Sequence, residues 1–369
     1  MCTRSLALLA AALSAVGCDS PVGGELAPSN CDLPSPHLYS GGPPPDGIPA
    51  LNDPDAVPAA HAAYRDEDRV LGVERNGAFR AYPLLVLWWH EIVNDTLGGA
   101  EILVTYCPLT GSGLAFDPDL GDAQRTLFGV SGLLFENNLI MFDRATKSLW
   151  PQLMLSARCG SRQGTALPRL PVIETTWGAW RAAHPGTTVI TTNTGHSRSY
   201  GAYPYGDYDT PTNRDLLFPS AGFSNARPPK ELVLGAWEGA AAVAYPFGYL
   251  DSLGVALVAI NDTVGARPVL VTYQRAARTG LAFDRVAGGD TLEFRVATGD
   301  PALLEDLATQ SQWTPWGEAV SGPLAGTRLA LLTDAYPVFW FAWWIFNPET
   351  RIYRGMGGSG LGARVQARK

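Results

Sequence analysis

NDTLGGAEILVTYCPLTGSGLAFD, residues 94–117, returns 167 positions later as NDTVGARPVLVTYQRAARTGLAFD, residues 261–284, with 13 of 24 positions identical and no gap. In the first of these stretches an apolar run from Ile102 to Tyr106 ends at Cys107 and Pro108. A proline has no N–H to continue a ladder, so the run reads as a strand that stops at the cysteine. A glycine-containing turn and a short second strand ending at Asp117 follow. A cysteine at such a strand end is displayed as well as packed.

The repetition continues on both sides. VLGVERNGAFRAYP (residues 70–83) matches VLGAWEGAAAVAYP (residues 233–246) at 7 of 14 positions, and ATKSLW (145–150) recurs as ATQSQW (308–313). Trp177, Ala179, Trp180, Pro185 and Thr187 reappear in step as Trp340, Ala342, Trp343, Pro348 and Thr350. The offset stays between 162 and 167, which is the signature of an internal repeat. The expectation is a tandem duplication, with copies at about 70–190 and 233–353, packed about a pseudo-twofold axis as related subunits are.

Each copy opens with a hairpin, marked by Asn76-Gly77 in the first. A helix over residues 83–94 comes next, then the two strands around Cys107. Strands over 126–128 and 133–142 and a helix over 175–183 complete the copy. Strands outnumber helices, so the fold class is α+β: β-rich and mainly antiparallel.

Residues 1–18, MCTRSLALLAAALSAVGC, carry Arg4, an apolar stretch of eleven from Leu6 to Val16, and then Gly17-Cys18. That run is too short to span a bilayer and reads as a cleaved signal. Its end resembles the bacterial lipoprotein signal, which implies an exported protein anchored to a membrane by a lipid at Cys18; a secreted or periplasmic soluble form is the alternative. Residues 19–45 are rich in Pro, Gly and Ser and read as a tether. Residues 46–190 hold the first copy, 191–232 a connecting segment, 233–353 the second copy, and 354–369 a tail. A hydrophobic content of 46% with 17% charged residues fits a packed globular body, and the net charge of −8 argues against nucleic acid as a partner. Past the signal, Cys31, Cys107 and Cys159 remain, an odd number in a compartment that permits disulfides.

With the repeat as an internal control, residues alike in both copies read as scaffold, and residues that differ in chemistry become candidates for function. Cys107 faces Gln274, and His90-Glu91 faces Leu257-Val258. The first copy alone therefore carries the titratable thiol and imidazole. Cys107 is open to four readings: a thiolate nucleophile with His90 as base, a metal or small-molecule ligand shared with His90, a disulfide with Cys159 or Cys31, or a buried free cysteine of the core with no chemistry. Glu91 joins the catalytic candidates and Thr110 the binding ones. His196, Arg198, Tyr200, Tyr203, Tyr205 and Tyr208 cluster in the connecting segment as further ligand contacts. The chain has no CxxC pair, no HExxH, no phosphate-binding glycine loop and no GxSxG, so these motifs name no cofactor, and Cys107 and His90 stay the metal candidates.

Six blocks carry a family resemblance: DGIPAL (46–51), AYPL (81–84), WHEIVND (89–95), VTYCPL (104–109), FGVSGLL (128–134) and TTWGAW (175–180). With TGHSRSYGAYPYGDY (194–208), they resemble the bacterial family catalogued as domain of unknown function 3179. The resemblance implies an exported or membrane-anchored protein and adds weight to His90 and Arg198, but it brings no activity with it. In that family the turn usually reads Cys-Pro-Leu-Cys-Gly. Here Thr110 stands where the second cysteine belongs, which speaks against a dithiol and leaves a single thiol assisted by His90.

Overall fold

The structure, a computed structural model, describes residues 30–122 and 124–355. The lipidation candidate Cys18, the signal and most of the tail lie outside the described residues. The first half is entered through β1 (Leu38–Ser40), β2 (Leu51–Asn52) and β3 (Ala56–Pro58). A hairpin of β4 (Arg69–Arg75) and β5 (Ala78–Pro83) runs into the short helix α1 (Leu84–His90). Two antiparallel meanders follow, β6 (Ile92–Leu97), β7 (Ala100–Cys107), β8 (Ser112–Phe116) and then β9 (Phe128–Phe135), β10 (Asn138–Asp143), β11 (Leu149–Pro151). The half closes with β12 (Arg169–Leu170), β13 (Val172–Thr176), α2 (Trp177–Ala183) and β14 (Thr188–Ile190).

The second half opens with β15 (Leu232–Glu238), β16 (Ala241–Pro246) and α3 (Phe247–Ser252), and continues with β17 (Leu257–Val264), β18 (Arg267–Gln274) and β19 (Thr279–Asp284). The small hairpin of β20 (Val286–Ala287) and β21 (Asp290–Thr291) precedes β22 (Phe294–Val296), β23 (Leu304–Asp306), β24 (Gln312–Trp313) and β25 (Ala319–Ser321). β26 (Ala335–Phe339), α4 (Trp340–Phe346) and β27 (Arg351–Ile352) end the described chain. The protein is thus β-rich and mainly antiparallel; the pairs β2–β6, β5–β14 and β16–β27 are parallel.

Local chemistry explains the elements. Asn76 and Gly77 both take positive φ, the requirement of the two-residue turn that matches strand twist. Asn94 clasps the backbone of Phe128 with both ends of its amide at 2.9 Å, and Asn261 clasps Phe294 at 2.8 Å. Trp150 donates to Asp143 and Trp313 to Asp306, and each aspartate also ties down its own turn. Trp180 lies over Gly72, where a Cβ would sit 2.3 Å from the ring, and Trp343 lies over Gly235 at 2.2 Å. The residues that the repeat shares therefore make the same contacts in both halves. β8 packs against β26 as β19 packs against β13, and one core cluster runs from Cys107 and Trp150 to Trp340 and Trp343 across the halves.

Three expectations need correction. The helix expected over residues 83–94 stops at His90, because Glu91 turns left-handed (φ 57°) and Ile92 pairs with Thr105 in the sheet. The strand expected over 133–142 is a hairpin, split where Glu136 and Asn137 take φ of 52° and 64°. The disulfide between Cys107 and Cys159 does not form. Cys159 bridges to Cys31 as an isolated ladder rung and carries the disulfide with it, while Cys107 is free and buried elsewhere in the core.

Candidate functional site

Cys107 is the last residue of β7 and pairs with Ser112 across the Pro108–Gly111 turn. It is 1% exposed. Its sulfur accepts the Leu139 N–H at 3.3 Å and lies 3.6 Å from the Asn137 carbonyl, to which the thiol donates. Burial, with the nearby Glu91 second, pushes the thiol up to about 11; the Thr110 hydroxyl and the Leu139 N–H pull it partly back. At neutral pH this is a protonated thiol, not a poised thiolate.

Thr110 works behind the turn and not towards a ligand. Its hydroxyl meets Ser112 Oγ at 2.8 Å and accepts from Asn138 at 3.2 Å; Gln152 then joins Ser112, Asn138 and Thr105 at 2.8–2.9 Å. Every member of this buried network is hydrogen-bonded, which fixes the turn that carries Cys107. Asn138 and Gln152 were not singled out from the sequence; the signal available was an amide set in each of two apolar runs, NNLIMF and LWPQLM.

His90 ends α1 and is fully buried. Nδ1 lies 2.7 Å from the Pro49 carbonyl, which only accepts, so Nδ1 carries the proton and Nε2 accepts from the Tyr200 hydroxyl at 2.6 Å. Thr194 in turn bonds Tyr200. Burial, followed by the charges of His196 and Arg198, lowers the imidazole to about 4, against the opposing pull of the Pro49 carbonyl. Neither ring nitrogen is free to take the Cys107 proton, and no hydrogen bond joins the two side chains. A metal shared by Cys107 and His90 would first have to displace Pro49 or Tyr200. Among the described residues no group of three or more His, Cys, Asp or Glu is placed to hold a metal ion.

The sequence candidates therefore fall into two groups. His90, Tyr200 and His196 belong to one: the rings of His90 and His196 are 5.3 Å apart, and His196 lines an open groove of about 470 Å³ with Asp53, Asp55, Asn193 and Thr194. Arg198 lies at the surface near them, its guanidinium bonded to the Ser197 carbonyl. Cys107, Glu91 and the tyrosines of the connecting segment form the other. Tyr203 donates to the Pro108 carbonyl at 3.3 Å and Tyr208 to the Leu109 carbonyl at 3.1 Å, so the segment lies as a cover on the Cys107 turn. Phe218 is clasped by the Asn137 amide at 2.9 and 3.0 Å, close to the sulfur. Burial raises Tyr205, with Glu91 and Cys107 as the next causes.

Glu91 links the two groups along the chain and is the outlier of the site. It is 6% exposed, its carboxyl has no hydrogen-bond partner or cation among the described residues, and burial alone lifts it from 4.5 to about 8. Its left-handed backbone is a conformation that non-glycine residues rarely take. Its main chain, by contrast, is satisfied: the N–H donates to Leu87 and the carbonyl accepts from Tyr106, each at 2.8 Å.

Fold and site together define a β-rich, disulfide-bonded protein that keeps a buried thiol and a buried carboxyl under a tyrosine-bearing cover. Residues 45–350 match the model of the family described as "Protein of unknown function (DUF3179)", and the chain belongs to that family. No curated protein and no solved structure matches it.

Proposed function

We propose that the protein is an exported, lipid-anchored protein of the cell envelope that binds a small molecule at Glu91 and Cys107, beneath the cover formed by residues 203–208. The observation that carries the site is the unpartnered Glu91. Glu91 is 6% exposed and its carboxyl accepts no hydrogen bond among the described residues, and strongly shifted groups of this kind cluster where proteins bind or react. The anchor rests on the signal pattern ending at Cys18, and the oxidising compartment is supported by the Cys31–Cys159 disulfide. Among the described residues no helix is long and apolar enough to cross a membrane.

The test is a ligand-observed NMR screen of the full chain against small soluble compounds of every charge class, repeated with Glu91→Gln and Cys107→Ala. The reading expects at least one compound that binds the parent and is weakened tenfold or more by a change at residue 91 or 107. A screen with no binder, or with binders indifferent to both substitutions, would sink the site. Palmitate labelling that persists in Cys18→Ser would sink the anchor.

A further inference from the structure

We infer that residues 361–365, Leu-Gly-Ala-Arg-Val, dock on the free edge of β17 as an added strand of the second half. This surface is separate from the ligand site proposed above and does not depend on it.

The two halves differ at this edge. β6 lies between β7 and the short parallel strand β2, with Leu51 beside Val93 and Asn52 beside Asn94. β17 pairs with β18 alone, so its eight residues form the edge of a three-stranded sheet. The groups that meet β2 in the first half are left over in the second. The Asn94 carbonyl accepts the Asp53 N–H at 2.7 Å, and the Asn94 amide donates to Asn52 at 2.9 Å as well as to Phe128. Asn261 holds the same register, opposite Leu270 as Asn94 is opposite Leu103. Its side chain donates only to Phe294 among the described residues. Asn94 and Asp95 are each 2% exposed, whereas Asn261 and Asp262 are only half-buried.

The head of this edge also carries apolar surface. The offset between the halves grows from 163 before α3 to 167 in β17, which places four added residues at 253–256. Two of them, Leu253 and Val255, stand 43% and 48% exposed. An open strand edge with exposed apolar side chains beside it takes an extended segment: main-chain bonds give the pairing, and alternate side chains cover the apolar surface.

The occupant is named by where the described chain ends. On β27, Arg351 donates to the Asp262 carboxylate at 2.7 Å and to the Thr263 carbonyl at 3.4 Å, both on β17. Tyr353 then meets Tyr249 of α3 edge-on at 5.9 Å, and Gly355 lies so close that a Cβ would sit 2.4 Å from the Tyr249 hydroxyl. The chain thus leaves the described fold beside α3 and β17. Residues 356–369 lie outside the described residues, but their sequence has the form the edge calls for. Gly-Gly-Ser-Gly at 357–360 has the composition of a linker. Leu361, Ala363 and Val365 then alternate with Gly362 and Arg364, the period of a strand with one covered face. The six steps from Gly355 to Leu361 reach at most about 20 Å. So short a tether holds the segment at an effective concentration of about millimolar, which favours it over a partner arriving from solution.

The experiment is hydrogen–deuterium exchange of the full chain, read by mass spectrometry on peptides covering 257–264 and 356–369. The amides of 361–365 should exchange about tenfold or more slower than in a free peptide of the same sequence. Ala363→Pro, which removes a strand N–H, should return them to the free-peptide rate and speed exchange in β17 several-fold. Leu361→Asp should do the same by removing the apolar contact, while β6 and β7 keep their exchange rates in both variants. Both substitutions lie beyond the described fold, and unchanged β6 and β7 rates exclude a general loss of structure. Free-peptide rates at 361–365 in the parent overturn the inference. So does a protected β17 that ignores both substitutions. Protection that increases with a hundredfold rise in protein concentration gives the edge to a second copy of the chain and likewise overturns docking within one chain.

Discussion

Replacing Glu91 by glutamine should make the protein more stable in alkali than the parent and leave it nearly unchanged in acid. Glu91 titrates at about 8 in the folded protein against an ordinary 4.5, because burial favours the neutral acid. Between those two values the unfolded chain has released the proton that the native state still holds. Unfolding therefore releases a proton, and stability falls as pH rises. The contribution is fully present below pH 4.5 and is lost as the pH passes through 8. At about 1.4 kcal/mol per pH unit, the whole loss is roughly 5 kcal/mol, a large share of the 5–15 kcal/mol that ordinarily separates folded from unfolded chains. The glutamine of the variant has nearly the same shape and cannot ionise. It keeps the left-handed backbone strain at this position, so that cost cancels in the comparison.

The assay is urea unfolding of both proteins at pH 5, 6, 7, 8 and 9, read as the difference between the two free energies. Other groups that titrate in this window, among them Lys230, which burial lowers to about 8, are common to both proteins and drop out of the difference. The difference should move in favour of the variant by about 1.4 kcal/mol per pH unit from pH 5 to pH 8 and flatten above it. A difference that stays constant from pH 5 to pH 9 refutes the reasoning, since it would mean that Glu91 has the same affinity for its proton in both states.

The cover makes a second, independent expectation. Tyr203→Phe and Tyr208→Phe each remove one hydroxyl that holds the Pro108 or Leu109 carbonyl, at about 1 kcal/mol apiece, and should speed alkylation of Cys107 without changing the circular dichroism of the fold. Gly72→Ala drives a Cβ into the Trp180 ring and Gly235→Ala does the same against Trp343, so each should lower stability by about 1–3 kcal/mol in urea titration, and by similar amounts in the two halves.

Much of the fold was legible in the sequence because its scaffold contacts are written twice. The Asn, Asp and Trp residues that recur at offsets of 162 to 167 are the ones that clasp, cap and stack in the structure. The errors sit where tertiary pairing overrode local preference. LLVLWWHEIVND carries no glycine or proline to end a helix, and the end of α1 shows only in the left-handed turn of Glu91 and the pairing of Ile92 with Thr105. The hairpin at Glu136-Asn137 escaped for a related reason: two non-glycine residues take positive φ inside an otherwise apolar run. At the site, the sequence sets Cys107 and His90-Glu91 against Gln274 and Leu257-Val258, and the structure gives Cys107 and His90 separate partners, Asn137 and Leu139 for the thiol and Pro49 and Tyr200 for the imidazole. Whether Thr110 faces a ligand or a buried amide network depends on Asn138 and Gln152, which arrive from 28 and 42 positions further along the chain. No local pattern carries that information.

The second half also bears on whether Glu91 and Cys107 serve the fold. Cys107 pairs with Ser112 as Gln274 pairs with Thr279, and Ile92 pairs with Thr105 as Ala259 pairs with Thr272. By that register Val258, opposite Tyr273, stands where Glu91 stands, beside Tyr106. Val258 is also buried, but it lies within β17 and carries an apolar side chain, whereas Glu91 turns left-handed between α1 and β6. The second half thus seats a valine opposite Tyr273, while the carboxyl of Glu91 costs several kcal/mol whenever it ionises. A group that burial penalises in this way calls for a reason beyond the strand pairing.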